Sequence, residues 1–316
     1  MNGPTAAMLP DGRRLHLQHG PIDLVIGADG EAAAVAAAYD AARRRFATIL
    51  LVLVEELAVL RSPCPPEGLG LHGPVARRME AAVLPFAGGQ FVTPMAAVAG
   101  AVADEMLAAM VAAAPLARAY VNDGGDIALH LTPGTRFDLK IAALDNSDHG
   151  RVAIAAEGPV RGVATSGRGG RSLSLGIAEA VTVLARTAAA ADAAATLIAN
   201  AVDLPGHGSV ARAPASSLRP DSDLGDRLVV VGCGALSNDE IALALDRGLA
   251  TAHRMQAAGS IEAAALFLQG ESRATLPIPS WPGLSRASLA DRARPSGDCR
   301  DKRGHDAPIV YEALHA

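Results

Sequence analysis

Three segments of this 316-residue chain combine residue types and spacings that can do chemistry. The first is Asn122-Asp123-Gly124-Gly125-Asp126, set between two apolar, strand-like stretches. Paired glycines permit positive-φ backbone and bring amide groups close to a ligand, while Asn and Asp add directional hydrogen bonds. A tight hairpin turn uses the same letters, so a structural role and a binding role both stand here. The second is Thr165-Ser166-Gly167-Arg168-Gly169-Gly170-Arg171-Ser172. Glycine-rich backbone, hydroxyls and two guanidinium groups make the composition of an anion cradle. A solvated loop fits the same letters, and no Gly-Lys-Ser/Thr follows to make it a P-loop. The third is Asp192 and Thr196 within an alanine-rich run. Their i, i+4 spacing puts both on one helical face. A carboxylate and a hydroxyl are hard oxygen donors that suit Mg²⁺ or Ca²⁺, above all when phosphates complete the shell. The alternative is a packed small-residue helix whose Thr bonds back to a carbonyl. Against it, an aspartate among alanines is costly without a partner.

Two weaker signals accompany these. Thr93-Pro94-Met95 has the form of a helix start, with a hydroxyl at the cap and proline in the first turn; its free amides would favour an anion, or it is an ordinary cap. Asp221-Ser222-Asp223-Leu224-Gly225-Asp226 is only loosely like a calcium loop, because its spacing is wrong and no closing Glu follows. It is expected to be a solvated acidic turn. The nine His and the cysteines Cys64, Cys233 and Cys299 show no ligand-like or disulfide-like spacing.

The elements that must position these residues follow from periodicity and punctuation. Leu15–Ile26 alternates as strand and is broken by Gly20-Pro21. A long helix is expected over Glu31–Leu60, with room for a break, stopped before Pro63. Val75–Val83 suits a short helix, and Pro94–Ala113 a small-residue one fit either for a subunit interface or for core packing. Strands are expected at Ala119–Val121, Ile127–Leu131, Phe137–Ala142, Arg151–Ala156 and Leu228–Val231. Residues 163–176 are expected as a glycine-rich loop, followed by a long helix over about Ile177–Ala201, with room for an interruption. Asp239–Ala258 reads as helix, while Ile261–Gln269 fits strand or helix. After Pro277 the periodicity vanishes, so residues 1–277 form the expected domain and 278–316 a poorly ordered tail. Strands arriving in pairs beside long alanine-rich helices imply an α+β fold with an antiparallel sheet.

Composition narrows the function. Half the residues are hydrophobic and 19% charged, which supplies a core. Aromatics are only 3% and net charge is −5, so neither ring stacking on bases nor a basic footprint supports nucleic-acid binding. The N-terminus lacks a basic start followed by an apolar run. The apolar stretch Phe91–Ala114 carries Asp104 and Glu105 near its middle. A cytoplasmic setting without membrane contact is therefore expected.

Five ordered blocks carry a resemblance: TPMAAVAGAVADE (93–105), YVNDGGDIALHL (120–131), RGVATSGRGGRSLSLGIAEAVTVLA (161–185), AAADAAATLIANAVDLPGH (189–207) and PDSDLGDRLV (220–229). Together they resemble uncharacterised protein family 0280, an ApbE-like group, and with RLHLQHGPIDLVI near the start the resemblance covers about residues 13–275. That group is more distantly similar to the FAD:protein FMN transferases. The resemblance implies a T-fold-like α+β architecture. It also implies Mg²⁺-dependent binding of FAD and transfer of a phosphorus-containing group to an acceptor, which in the transferases is a Thr of a protein. By the same resemblance, Asp192 and Thr196 hold the metal. It also implies that Gly124, Gly125 and Asp126 help hold the nucleotide. From their own chemistry, Asn122, Thr165, Ser166, Gly167 and Arg168 are expected to join in binding it, with Asp192, Ser166 and Arg171 in the catalytic roles. The transferases' His-Ile-x-Asp-Pro block has no counterpart, and Thr165-Ser166-Gly167 leads into Arg168-Gly169-Gly170-Arg171 rather than an aromatic-containing stretch. A flavin or nucleotide binder without chemistry, and an enzyme of another, pterin-type cofactor pathway, are the alternatives. The implied partners are a small-molecule nucleotide, with a protein acceptor or a second copy of the chain in addition.

Overall fold

The computed structural model describes residues 3–142, 148–170 and 172–276. Arg171 and the tail after Leu276, which includes Cys299, lie outside the described residues. The strands are β1 (Thr5–Met8), β2 (Leu15–His19), β3 (Ile22–Asp29), β4 (Arg118–Asp123), β5 (Asp126–Leu131), β6 (Arg136–Ala142), β7 (Asp148–Ala155), β8 (Gly162–Ser166), β9 (Ala180–Ala185), β10 (Val210–Pro214), β11 (Leu228–Cys233), β12 (Ala263–Leu268) and β13 (Glu271–Ala274). The helices are α1 (Ala32–Glu55), α2 (Leu57–Leu60), α3 (Pro74–Val83), α4 (Val98–Ala113), α5 (Ala188–Ala201), α6 (Ala215–Leu218) and α7 (Asn238–Ala257). A 3₁₀ turn over Pro94–Ala97 leads into α4.

Nine strands form one sheet in the order β1-β2-β3-β4-β5-β8-β9-β12-β13, every pairing antiparallel. Strand periodicity of two sorts its side chains between two cores. Val181, Val183 and Ala185 of β9, with Ala264, Leu266 and Leu268 of β12, face the helices. Ala180 and Leu184, with Ala263, Ala265 and Phe267, face the opposite side, where the β6–β7 hairpin brings Phe137, Leu139, Val152 and Ile154. The expected α+β class with an antiparallel sheet is what the chain adopts.

The expected long helix from Ile177 is corrected. Ala180–Ala185 is a strand buried along its whole length, and the helix begins only at Ala188. Its run of β-branched Val181, Thr182 and Val183 favours a doubly covered strand, which apolarity alone does not separate from a buried helix. The expected loop at 163–176 is corrected likewise, because its first part is β8, hydrogen-bonded to β9. The ambiguous Ile261–Gln269 stretch is strand β12, and the long first helix does break, at Glu56.

Pro94–Ala113 is long and apolar enough to cross a membrane by length and composition. In the fold it packs beside α1 and α5, with Met106 and Met110 fully buried. Its two acids have internal partners. Glu105 accepts from Arg45 Nε and Arg78 Nε, each at 2.9 Å, and Asp104 serves α5 as described below.

Candidate functional site

Helix α5 forms because alanine has the best helix propensity and Thr187 caps the first turn, its hydroxyl accepting from Ala190 N at 3.2 Å. Alanine also keeps α5 thin, so neighbouring backbone comes close. A Cβ placed on Gly100 of α4 would lie 2.3 Å from the carbonyl oxygen of Ala188. Only glycine fits that crossing.

Two carboxylates lock the crossing reciprocally. Asp104 of α4 accepts from Ala188 N at 3.0 Å and Ala189 N at 2.9 Å, the first amides of α5. Asp192 of α5 accepts from Gly100 N at 3.0 Å, and the Ala99 amide also bonds to it. Each helix thus satisfies the orphan N-terminal donors of the other and meets its positive dipole end with a carboxylate. Burial raises both pKa values, that of Asp192 to about 7, the Asp104 charge adding to the rise and the amides of Gly100 and Ala99 opposing it. The costly aspartate of the alanine helix therefore has a structural partner.

Asp192 also borders a cavity of about 310 Å³. Thr196 and Asn200 follow it along α5 at successive turns and line the same wall. Asp126 at the start of β5, Ser172 and Leu175 add to the lining, as do Phe91–Thr93 and Met95 ahead of α4, together with Arg61, Arg219 and Asp221–Leu224. Two contacts tie that last loop to other lining residues. Thr93 Oγ1, itself buried, donates to Asp223 Oδ2 at 2.5 Å, and Arg61 Nη2 pairs with Asp221 Oδ2 at 2.7 Å. The expected solvated acidic turn at Asp221–Asp226 forms, with Asp221, Gly225 and Asp226 exposed, and it has a second role as part of the cavity's lining. Asp221, Ser222 and Asp223 line the cavity, held there by Arg61 and Thr93, residues more than a hundred positions away in sequence. Thr93 does not cap its own turn.

The sequence-based candidates divide at this point. Asp126, Asp192 and Thr196 meet in the cavity. Asn122, Gly124 and Gly125 form the tight turn between β4 and β5, with φ of 64° and 117° at the glycines and Asn122 Oδ1 accepting from Gly125 N at 2.8 Å. The hairpin role is thus realised, and it sets Asp126 in place. Thr165 shares the hairpin-side face of β8 with Val163 and bonds Thr182 at 2.9 Å, away from the face that α5 covers. Ser166 pairs in register with Val181. Gly167 lies against the Glu179 carbonyl, and Arg168 pairs with Glu179 at 2.9 Å. None of these four borders the cavity, so the arginine offered as an anion donor instead neutralises a carboxylate. Of that glycine-rich segment, Ser172 reaches the cavity; Arg171 lies outside the described residues.

Several lining residues escaped the sequence. Asn200 had a readable signal, being the next turn of the Asp192–Thr196 stripe. Arg61, Phe91 and Arg219 had none, and the acidic loop, though visible as a motif, gave no sign of its place here, since only the fold brings them together. Among the described residues no group of three or more His, Cys, Asp or Glu is placed to hold a metal ion. Asp192 and Thr196 are nonetheless suitable donors. A carboxylate accepting two amides keeps lone pairs, and Mg²⁺ is commonly held by one or two protein oxygens plus substrate phosphates.

The family described as AbpE bacteria matches residues 6–274. A UPF0280 protein of Methanopyrus kandleri is 33% identical over 181 residues, covering 56% of this chain and 69% of that protein. A UPF0280 protein of Methanosphaerula palustris is 41% identical over 133 residues, 42% of this chain and 54% of its own length. Among solved structures, the apo form of the Pseudomonas stutzeri flavinyl transferase ApbE aligns over 86% of this chain and 93% of that one, with TM-score 0.38 and 12% identity. The match along nearly the whole described chain, with the UPF0280 likenesses beside it, makes this protein a member of the ApbE-like family AbpE bacteria.

Proposed function

We propose that the chain binds a phosphorylated, flavin-like nucleotide together with Mg²⁺ in this cavity and transfers a phosphorus-containing group from it, as an FMN-transferase-like enzyme. The observation that carries the proposal is the meeting of Asp126 with Asp192 and Thr196, from two separate sequence blocks, at one cavity. Asp192 and Thr196 hold the metal, and Asn200 extends their row of oxygens. The bound ion supplies charge neutralisation on the phosphate oxygens. Asp126, positioned by the glycine turn, accepts hydrogen bonds from the nucleotide. Ser172 and Ser222 donate to phosphate, with Arg219 and Arg61, the latter shared with Asp221, beside it. The Thr93–Asp223 contact holds those two parts of the wall together.

Incubation with FAD and Mg²⁺, followed by chromatography for AMP and FMN, tests the proposal. Release of AMP that is lost in Asp192→Asn and Thr196→Val supports transfer. One observation favours a second reading, a binder without turnover: the Asp192 carboxylate is already engaged by the α4 amides. Tight Mg²⁺-dependent FAD or FMN binding without AMP release would select it. Absence of any affinity for FAD, FMN or AMP in the presence of Mg²⁺ refutes both.

A further inference from the structure

Aromatic side chains are scarce here: five Phe, three Tyr and one Trp in the whole chain. Nearly all those described are spent on packing. Tyr39, Phe46 and Phe86 belong to the helix-side core, and Tyr120, Phe137 and Phe267 to the hairpin-side core. Phe91 belongs to neither. It stands in the cavity wall, where it is the sole aromatic among the described residues that line it. The exposed Arg227 lays its guanidinium carbon 3.3 Å from the centre of the Phe91 ring. That arginine is not loose. Its amide donates to Leu224 O at 3.2 Å, its carbonyl accepts from Ala215 N at 2.9 Å, and Nη1 reaches Leu224 O at 3.4 Å. The Thr93–Asp223 bond ties the segment bearing Phe91 to the loop leading to Arg227.

A guanidinium over an aromatic ring at this separation is an attractive pair that fixes the ring's orientation. A fixed ring bordering a cavity, with a cation closing one side, is a stacking surface for a flat π-system. At about 310 Å³ the cavity is at the small end of ligand sites, on the order of 300–1,000 Å³, which suits one ring-bearing unit with its phosphate.

We infer that Phe91, backed by Arg227, is the specificity-determining platform on which the heteroaromatic ring of the substrate stacks, while the α5 stripe takes its phosphate. The inference rests on the proposed nucleotide site and adds the part of it that reads the ring. It assigns the substrate class as a planar heteroaromatic phosphate ester, selected over ringless phosphates.

Binding of FMN and of inorganic pyrophosphate, each with Mg²⁺, is measured by calorimetry for the wild type, Phe91→Leu, Phe91→Trp and Arg227→Gln. Phe91→Leu is expected to weaken FMN by about 5- to 100-fold, the scale of one stacked ring, and to leave pyrophosphate unchanged. Phe91→Trp restores FMN, and Arg227→Gln gives a smaller loss confined to FMN. Retained pyrophosphate binding also shows that each variant is folded. FMN affinity unchanged in Phe91→Leu, or FMN and pyrophosphate weakened together, overturns the platform while leaving the phosphate site standing. A wild type that binds neither probe overturns the platform and the proposed function alike.

Discussion

Replacing Gly100 by Ala tests how the fold holds the site. The added Cβ would lie 2.3 Å from Ala188 O, 2.5 Å from Ala188 C and 2.7 Å from Ala189 N. All three are backbone atoms of α5, so no side chain can swing aside. Ordinary contact begins near 3.4 Å, and the helices must part by about 1 Å. Three terms then compete. Alanine in a helix gains about 1 kcal/mol over glycine. Forced overpacking costs about 1–3 kcal/mol. Parting the helices also stretches the Gly100–Asp192 bond from 3.0 Å and the Asp104 bonds to Ala188 and Ala189, and each lost cap costs about 0.5–2 kcal/mol. Steric and capping losses win, leaving about 2–4 kcal/mol of destabilisation. In urea, with a slope of about 2 kcal/mol per M, the midpoint falls by about 1–2 M at unchanged slope. Gly208→Ala is the control, an exposed glycine whose added Cβ meets nothing within 4 Å. Because Asp192 moves with α5, the binding of FMN with Mg²⁺ should also weaken at least tenfold, displacements of about 1 Å being costly at a preorganised site. If the Gly100→Ala midpoint matches that of Gly208→Ala, the tight crossing is not what holds α4 and α5 in register, and the reasoning fails.

Asp192 makes metal-free stability depend on pH. Its native pKa of about 7 is above the ordinary 3.8, so the native state binds the extra proton between those values. The stability this proton provides is full below the unfolded value and is lost as pH rises through 7, at up to about 1.4 kcal/mol per pH unit. Urea midpoints from pH 4 to 8 in chelator should fall more steeply for the wild type than for Asp192→Asn, and equal slopes would remove Asp192 as the source. At the other end of the chain, Ser237→Ala deletes the α7 capping box, in which Ser237 Oγ accepts from Glu240 N at 3.4 Å and Glu240 accepts from Ser237 N at 2.8 Å. It should cost about 1 kcal/mol, read as a lower urea midpoint, with FMN and pyrophosphate binding untouched because α7 does not line the cavity.

Local signals were legible wherever the cause was local. Pro94 marks a helix start through its restricted φ, and the structure begins the 3₁₀ turn before α4 there, while the helices read from Val75 and Asp239 each begin one residue earlier. Gly124-Gly125 supplied the two positive-φ positions of the β4–β5 turn. The boundary between β9 and α5 was not legible, because a strand covered on both faces and a buried alanine helix are both uniformly apolar. Within the site, Asp126, Asp192 and Thr196 could be picked out by residue type and helical spacing. Thr165 and Arg168 have equally suggestive types, yet strand parity turns the first away from α5 and Glu179 takes the second.

The sequence by itself determined the composition of the layers, the turn chemistry, the polar stripe of the alanine helix and, through its ordered blocks, the family. Tertiary structure decided which polar groups share a space. Asp192 meets Gly100, Thr93 meets Asp223 and Arg61 meets Asp221 across 92, 130 and 160 positions. Such pairings have no local pattern, because the free energy that selects them comes from burial and from satisfying helix-terminal amides, and both exist only after the elements have packed.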